Sequence, residues 1–401
     1  MNIEFLICFA VVLLLVYLFN HRDGKKSNSE IPQTEEDVWR EGGLSYHCYD
    51  DEGFVSVSCA NPSMLKGAFT IPSKVERDGV VYEVKCIGFF KGCSGLTSVR
   101  LPDSVVDIPS DAFEDCERLK YNEYDGALYL GTLYNPYFAL IKARDEKIRS
   151  CRVQEGCELI ASSAFLGCKE LVSVEMPDSV TIIGESAFFE CSKLRSVVLS
   201  DALKEISYGL FRSSGLTSIA LPKSLQTIDF LAFSDCKNLV SVTVPDSVSC
   251  VDDNAFAFCD SLTSVVLPKS LENLGCEVFE EDKNMNFSSF DNALYLGCEG
   301  NPYFALVKAK DENMVTCEIH ESCEIIADSA FEGCAELKKL VIPNSVRFIG
   351  AYAFPCPAME MLTVPDSVTK IGKDAFEEVG VVCYSGNAEG APWGAEEVRK
   401  E

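Results

Sequence analysis

One phrase recurs along this chain, and its period limits the fold more than any other feature. Residues 96–116 read LTSVRLPDSVVDIPSDAFEDC, residues 171–191 read LVSVEMPDSVTIIGESAFFEC, and residues 239–259 read LVSVTVPDSVSCVDDNAFAFC. Phenylalanine marks one phase of this pattern at Phe90, Phe113, Phe165, Phe188, Phe211, Phe233, Phe256, Phe279, Phe331, Phe354 and Phe376. Successive markers lie 22 or 23 residues apart, except for two gaps of 52. A fixed period in the twenties is the signature of a solenoid. No single unit can bury its own apolar face, and stacking on a neighbour supplies the missing surface.

Each unit reads as a short circuit of chain. The LxxVxLP segment alternates with period two, as a strand does when one face is buried. Proline ends the strand because it cannot donate to a ladder. Asp-Ser or Lys-Ser makes the turn, which accounts for the abundance of these residues without catalysis. A second short apolar pair follows, as at Val180 and Ile183. The closing AFxxCxxL places Phe, Cys and Leu at i, i+3 and i+6, which predicts a single helical turn facing inward. Gly88, Gly184, Gly275, Gly350 and Gly372 follow the second apolar pair, but Pro109, Ser207, Asp229 and Asp252 share their phase. That corner therefore cannot demand a left-handed backbone. The expectation is about 11 coils of mainly short parallel strands joined by turns.

The cysteines obey the same phase. Cys93, Cys116, Cys168, Cys191, Cys236, Cys259 and Cys334 each stand three residues after a marker phenylalanine. Such a column reads as small buried thiols. Adjacent coils would bring Cα atoms within disulfide range, but parallel side chains hold Cβ atoms farther apart than the preferred ~3.8 Å. No C-x-x-C spacing occurs, which removes the usual zinc and thioredoxin motifs. Cys151 with Cys157, and Cys317 with Cys323, take the places of Val174 and Val180 and read as core thiols as well. Unpaired thiols in this number suit a reducing compartment.

The two long gaps contain one phrase twice. ALYLGTLYNPYFALIKA at 127–143 returns as ALYLGCEGNPYFALVKA at 293–309, an offset of 166 residues. A block was duplicated together with its insertion. Two β-prone runs around Asn-Pro predict a hairpin near 120–147 and another near 286–313. Tyr129, Tyr137 and Phe138, echoed by Tyr295, Tyr303 and Phe304, form either an aromatic surface or a seal over a gap between coils; sealing is the simpler role.

The ends differ from the middle. FLICFAVVLLLVYLF at 5–19 is unbroken apolar sequence, followed by Arg22, Lys25 and Lys26. No basic residue precedes it and no small-residue cleavage pattern follows, so it reads as a retained single-pass anchor, residues 1–20, rather than a cleaved leader. The positive flank places the repeats on the cytoplasmic side, with the cell surface as the alternative. Residues 21–41 read as a polar linker, 42–86 as a β-rich N-terminal cap, 87–376 as the repeat solenoid and 377–401 as a C-terminal cap and tail.

The pattern LxxIxLPxSVxxIGxxAFxxC across 87–376 resembles the BspA-type, or Treponema-type, leucine-rich repeat family. The insertion phrase and the closing VVCYSGNAEGAPWGA at 381–395 also look like features of such proteins. The resemblance implies a leucine-rich repeat solenoid and a binding role, often at microbial surfaces as adhesins do, and it implies no catalytic residues.

Composition agrees with a binding role more than with chemistry. Asp and Glu outnumber Lys and Arg by 62 to 35, a formal charge of −27, which repels nucleic acid. His47 and His320 lie far apart in sequence without a phased carboxylate, and no phosphate-binding glycine motif occurs. The expectation is no enzyme, no cofactor and no metal. The outward position of LxxVxLP is filled by Arg100, Glu175, Val198, Ala220, Thr243, Val266, Val341 and Thr363, a mildly apolar stripe among small hydroxyls. It suits a protein or surface-polymer ligand. A structural spacer without a specific ligand is the remaining reading, since a strand face uses β-branched residues in any case.

Overall fold

A computed structural model describes residues 38–49 and 53–400. The apolar run at 5–19, with the anchor expected there, lies outside the described residues. Among the described residues no helix is long and apolar enough to cross a membrane. The fold set out below is that of the unit Arg40–Glu401.

The chain winds as a β-solenoid of about 11 turns, in agreement with the sequence expectation. Most turns contribute one strand to each of two ladders. The first ladder takes the LxxVxL segments, among them Ser150–Arg152, Ser173–Glu175 and Ser196–Val198, all parallel. Pairing joins residues one coil apart: Val174 faces Val197 and Val242 faces Val265. Period-two alternation buries these middle residues and turns their neighbours outward. The second ladder is built from two-residue strands such as Glu205–Ile206, Thr227–Ile228, Cys250–Val251 and Asn273–Leu274.

The AFxxC segment corrects one expectation. It is a run of turns, not a helical turn, and the described residues contain no helix. Two causes are visible. Residues two before and two after the marker phenylalanine adopt left-handed backbone, as Ser186 (φ 55°) and Glu190 (φ 59°) do around Phe188. Alternate amides then leave the coil. Ser163, Phe165 and Gly167 donate to the carbonyls of Glu185, Ala187 and Phe189 one coil on, at 2.8, 2.8 and 2.9 Å. The intervening Ala164, Leu166 and Cys168 donate back three residues within the coil. A helix would send every amide to residue i−4 and leave neighbouring coils unjoined on this side. The solenoid thus carries backbone hydrogen bonds between coils on a third side.

The phenylalanines stack inside this third side. Rings of Phe165, Phe188, Phe211, Phe233, Phe256 and Phe279 follow one another at centroid spacings of 5.2 to 5.9 Å and interplanar angles of at most 17°. Pairs at such spacing contribute about 0.5–1.5 kcal/mol beyond area burial. Phe331, Phe354 and Phe376 form a second run, which Trp393 closes edge-on at 6.3 Å.

The glycine corners are explained by close approach. A Cβ on Gly184 or Gly275 would lie 2.4 Å from the backbone nitrogen of Ser162 or Asp253 in the preceding coil. Their φ values are not left-handed, in keeping with the sequence reading. At Asp229 and Asp252 the carboxylate accepts the next residue's amide.

The duplicated phrase builds a rung of the stack. Ala127–Leu130 pairs antiparallel with Ala139–Ala143, which runs parallel to Leu159–Ile160 in the second ladder. Ala293–Cys298, Asn301–Ala309 and Ile325–Ile326 repeat the arrangement. Tyr129 and Tyr295 are fully buried, and their hydroxyls accept the amides of Gln154 and His320, each at 3.2 Å. The hairpins therefore seal the stack.

Truncation of Phe233 to Ala should cost about 3–5 kcal/mol, read as a lower midpoint in urea unfolding. Phe258, left-handed and 44% exposed, should tolerate Gly with no loss. Equal effects of the two variants would contradict the buried-stack account.

Candidate functional site

The eight residues expected to face outward from the first ladder are all exposed. Val198, Val266 and Val341 keep 53%, 40% and 47% of their surface in water. Glu175 lies beside Val198 and Thr243 beside Val266 in register. Arg100 ends the strand Leu96–Arg100 and bridges to Gly131 of the first hairpin. Thr363 faces Cys383 in the last sheet.

The stripe is not continuous, however. Ala220 lies in 216–221, which forms no strand, so Ser196–Val198 and Ser241–Thr243 are unconnected edges on either side of it. The cause is a single missing residue. Cys191 and Leu194 are three positions apart, but their counterparts Ser214 and Leu216 are two apart. Ile219 and Leu221 consequently stand half-buried where other coils bury Val and Leu.

A second apolar row was missed in sequence. Val172, Val240 and Val315, each just before a strand, are 43%, 48% and 49% exposed. The signal was the first x of LxxV, which carries Val in two of the quoted units. Beside Glu175 the face holds a hollow of about 510 Å³ lined by Tyr124, Asp125, Ser150, Arg152 and Ser173. Arg152 Nε donates to Glu175 Oε2 at 3.1 Å across its rim. Both partners are exposed, and such pairs contribute little.

The remaining candidate groups are absorbed by the architecture. The cysteines of the phased column form no disulfide with one another. The column is buried, and each of Cys116, Cys191, Cys236 and Cys259 donates its S–H to the carbonyl of the preceding coil's marker phenylalanine at 3.0–3.2 Å. Burial pushes the Cys236 thiol up to about 12, and likewise those of Cys151, Cys157 and Cys323. These groups are not nucleophiles at neutral pH. A raised thiol pKa holds its stabilisation below the ordinary value near 9 and loses it as pH climbs toward 12. The serine of PxS is likewise structural: Ser104, Ser179, Ser224 and Ser270 donate to carbonyls of the preceding coil at 2.6–2.8 Å. His47 packs edge-on against Tyr49, and His320 stacks on Tyr303. Among the described residues no group of three or more His, Cys, Asp or Glu is placed to hold a metal ion.

Asp282 breaks the thiol column. It is 6% exposed, its Oδ1 takes the amide of Cys259 at 2.7 Å, and its Oδ2 has no partner. Burial raises its carboxyl to about 7, against the Cys259 amide, which lowers it.

The sequence model of the BspA type leucine-rich repeat region matches residues 83–135, 147–286 and 309–382, about two thirds of the chain. The protein belongs to this leucine-rich repeat family. The two unmatched intervals inside the array fall within the hairpins. Solved structures share the likeness. A leucine-rich repeat protein from Bacteroides ovatus is 22% identical over 90% of each chain, with a TM-score of 0.33. One from T. pallidum is 28% identical over 54% of this chain and 91% of its own, with a TM-score of 0.39. A leucine-rich cell surface protein from Faecalibacterium prausnitzii is 19% identical over 93% and 96%, with a TM-score of 0.30. Among curated proteins none matches.

Asp282→Cys restores the residue that the column carries elsewhere and frees the Cys259 amide. A carboxyl whose pKa is raised on folding loses its stabilisation as pH rises from about 4 to about 7. The variant should therefore raise the thermal midpoint at pH 8, by about 1–3 kcal/mol in stability, with the gain shrinking toward pH 4. A gain independent of pH would contradict the assignment.

Proposed function

We propose that this leucine-rich repeat protein is a non-enzymatic binding protein, tethered to a membrane through residues 3–20, that engages a protein partner along the outward rows of its first ladder. One observation carries the reading. Val198, Val266 and Val341 in one phase, and Val172, Val240 and Val315 in another, remain in water at intervals along the ladder. The intervening positions are serine, threonine and Ala220, with Glu175, Arg195, Glu318, Lys338, Lys339 and Glu360 interrupting. A solvated strand face needs β-branched residues for its backbone. It does not need a second exposed apolar row beside them. Repeated apolar exposure of this kind marks an interaction surface.

The chemistry of the partner follows from the same rows. The long-strand face offers apolar side chains and small hydroxyls, and the whole chain carries −27. A protein surface with apolar residues at its centre and basic residues at its rim is complementary to it. The apolar run at 5–19 supports the tether, and its basic flank supports a cytoplasmic-facing array. The cell-surface habit of many family members supplies the alternative placement.

Full-length protein recovered from its own cells, compared with the triple variant Val198→Glu, Val266→Glu and Val341→Glu, tests the surface. Each position is exposed, so the variant should keep its unfolding midpoint to within about 0.5 kcal/mol per site. The expected result is loss of the bound partner from the variant. Retention of the same partner would move the binding site away from this ladder.

A further inference from the structure

The duplication supplies an internal comparison. At an offset of 166 residues, Asn135, Pro136, Tyr137, Glu158 and Ser179 correspond to Asn301, Pro302, Tyr303, Glu324 and Ser345. The hairpin is anchored identically in both copies: Asn135 Nδ2 donates to Gly156 O at 2.6 Å, and Asn301 Nδ2 donates to Ser322 O at 2.7 Å. Several positions around this anchor differ, Tyr124 to Phe290 and Thr181 to Arg347 among them. Tyr134, Gln154 and Gly156 of the first copy are Gly300, His320 and Ser322 in the second.

These changes meet at one place. In the first copy the Gly156 amide donates to Ser179 Oγ at 3.2 Å, and that hydroxyl donates to Cys157 O at 2.8 Å. The hydroxyl is fully satisfied. In the second copy the Ser322 amide turns to His320 Nδ1, at 3.1 Å. Ser345 Oγ is buried and has no partner. The imidazole lies flat on Tyr303, with centroids 3.8 Å apart at 14°, and stands edge-on to Phe290 at 4.9 Å. Gly300 takes a left-handed backbone (φ +83°), and nothing lies within 4 Å of where its Cβ would be.

The result is a hollow of about 670 Å³, whose walls include Gly300, Pro302, Tyr303, His320, Glu324 and Ser345. That volume lies within the ~300–1,000 Å³ typical of small-molecule sites. Its polar groups offer both acceptors and donors. Arg347 Nε and Nη2 both donate to Glu324 Oε2, at 2.9 and 2.8 Å, which leaves Oε1 its acceptor positions. With Nδ1 accepting from Ser322, the neutral imidazole carries its proton on Nε2 and offers one donor. The Ser345 hydroxyl can both give and take.

The geometry points to a binding site for a neutral saccharide in this hollow, with the Tyr303–His320–Pro302 wall beneath the C–H face of the ring and Glu324 and Ser345 hydrogen-bonded to its hydroxyls. Aromatic rings together with hydroxyl, imidazole N–H and carboxylate groups match a ligand with one apolar face and many hydroxyls. A carboxylate in the wall and the charge of −27 disfavour an anion. The site is separate from the long-strand surface and does not depend on its partner.

Titration calorimetry of the full-length protein with glucose, galactose, mannose, N-acetylglucosamine and their disaccharides tests the site. At least one should bind at millimolar concentration or below. His320→Gln installs the first copy's residue, so it should fold with an unchanged thermal midpoint and bind about tenfold more weakly or worse. Ser345→Ala should also weaken binding, with a midpoint that is unchanged or higher. Absence of binding by every sugar in the set, or equal affinity in His320→Gln, would overturn the proposal. So would a Ser345→Ala variant that gains stability and binds as before.

Discussion

Everything in this molecule depends on backbone amides that leave their own coil. On three sides of each turn, N–H groups reach carbonyls one coil away instead of closing a local helix. Buried amides and carbonyls must find partners, and a 22- or 23-residue circuit presents them to the next circuit in register. The marker phenylalanine amide makes one of these bonds, while its ring stacks on the next ring beneath it. Hydrogen bonding and apolar burial thus pull in one direction, along the stack. Stability then sums over neighbouring coils, so a local fault is tolerated without loss of the whole.

The faults and their repairs show how strict this register is. A single residue missing between Ser214 and Leu216 removes one strand from the first ladder, yet Val240 N–H still reaches Thr217 O at 3.1 Å. At Ser207 a side-chain hydroxyl reaches Ile183 O at 2.9 Å, joining the strands Ile182–Ile183 and Glu205–Ile206, which do not pair with each other. Asp282 occupies a thiol position and takes the Cys259 amide for itself. The hairpins fill a rung with antiparallel chain and bury Tyr129 and Tyr295 to do so. In each case the interior stays closed while the outward face changes, which leaves the surface free to carry recognition.

The coil, its period, the inward phenylalanines and the thiol column were legible because phase repeats across many units. The Phe-Cys-Leu spacing was legible too, but its conformation was not. Spacing of i and i+3 is shared by a helical turn and by consecutive β-turns. What separates them here is left-handed backbone at Ser186, Glu190, Leu231 and Phe258, residue types that carry no such signal. The alternation that turns the stripe outward was legible. Its interruption at Ala220 was not, because a deletion in one loop acts on a strand several residues away. His320 was weighed only as a catalytic residue. Its role emerges when the two copies of the duplicated block are compared bond by bond, since Gln154 and His320 look like an ordinary substitution in sequence.

Residue-resolved hydrogen exchange under native conditions tests the central claim most directly. The amides of Phe165, Phe188, Phe233 and Phe256, each bonded to the next coil, should be among the slowest to exchange. The amides of Ile219 and Ala220, where the first ladder is interrupted, should exchange far faster. Rapid exchange at the four phenylalanines, or equal protection across 216–221, would contradict a stack held together from coil to coil.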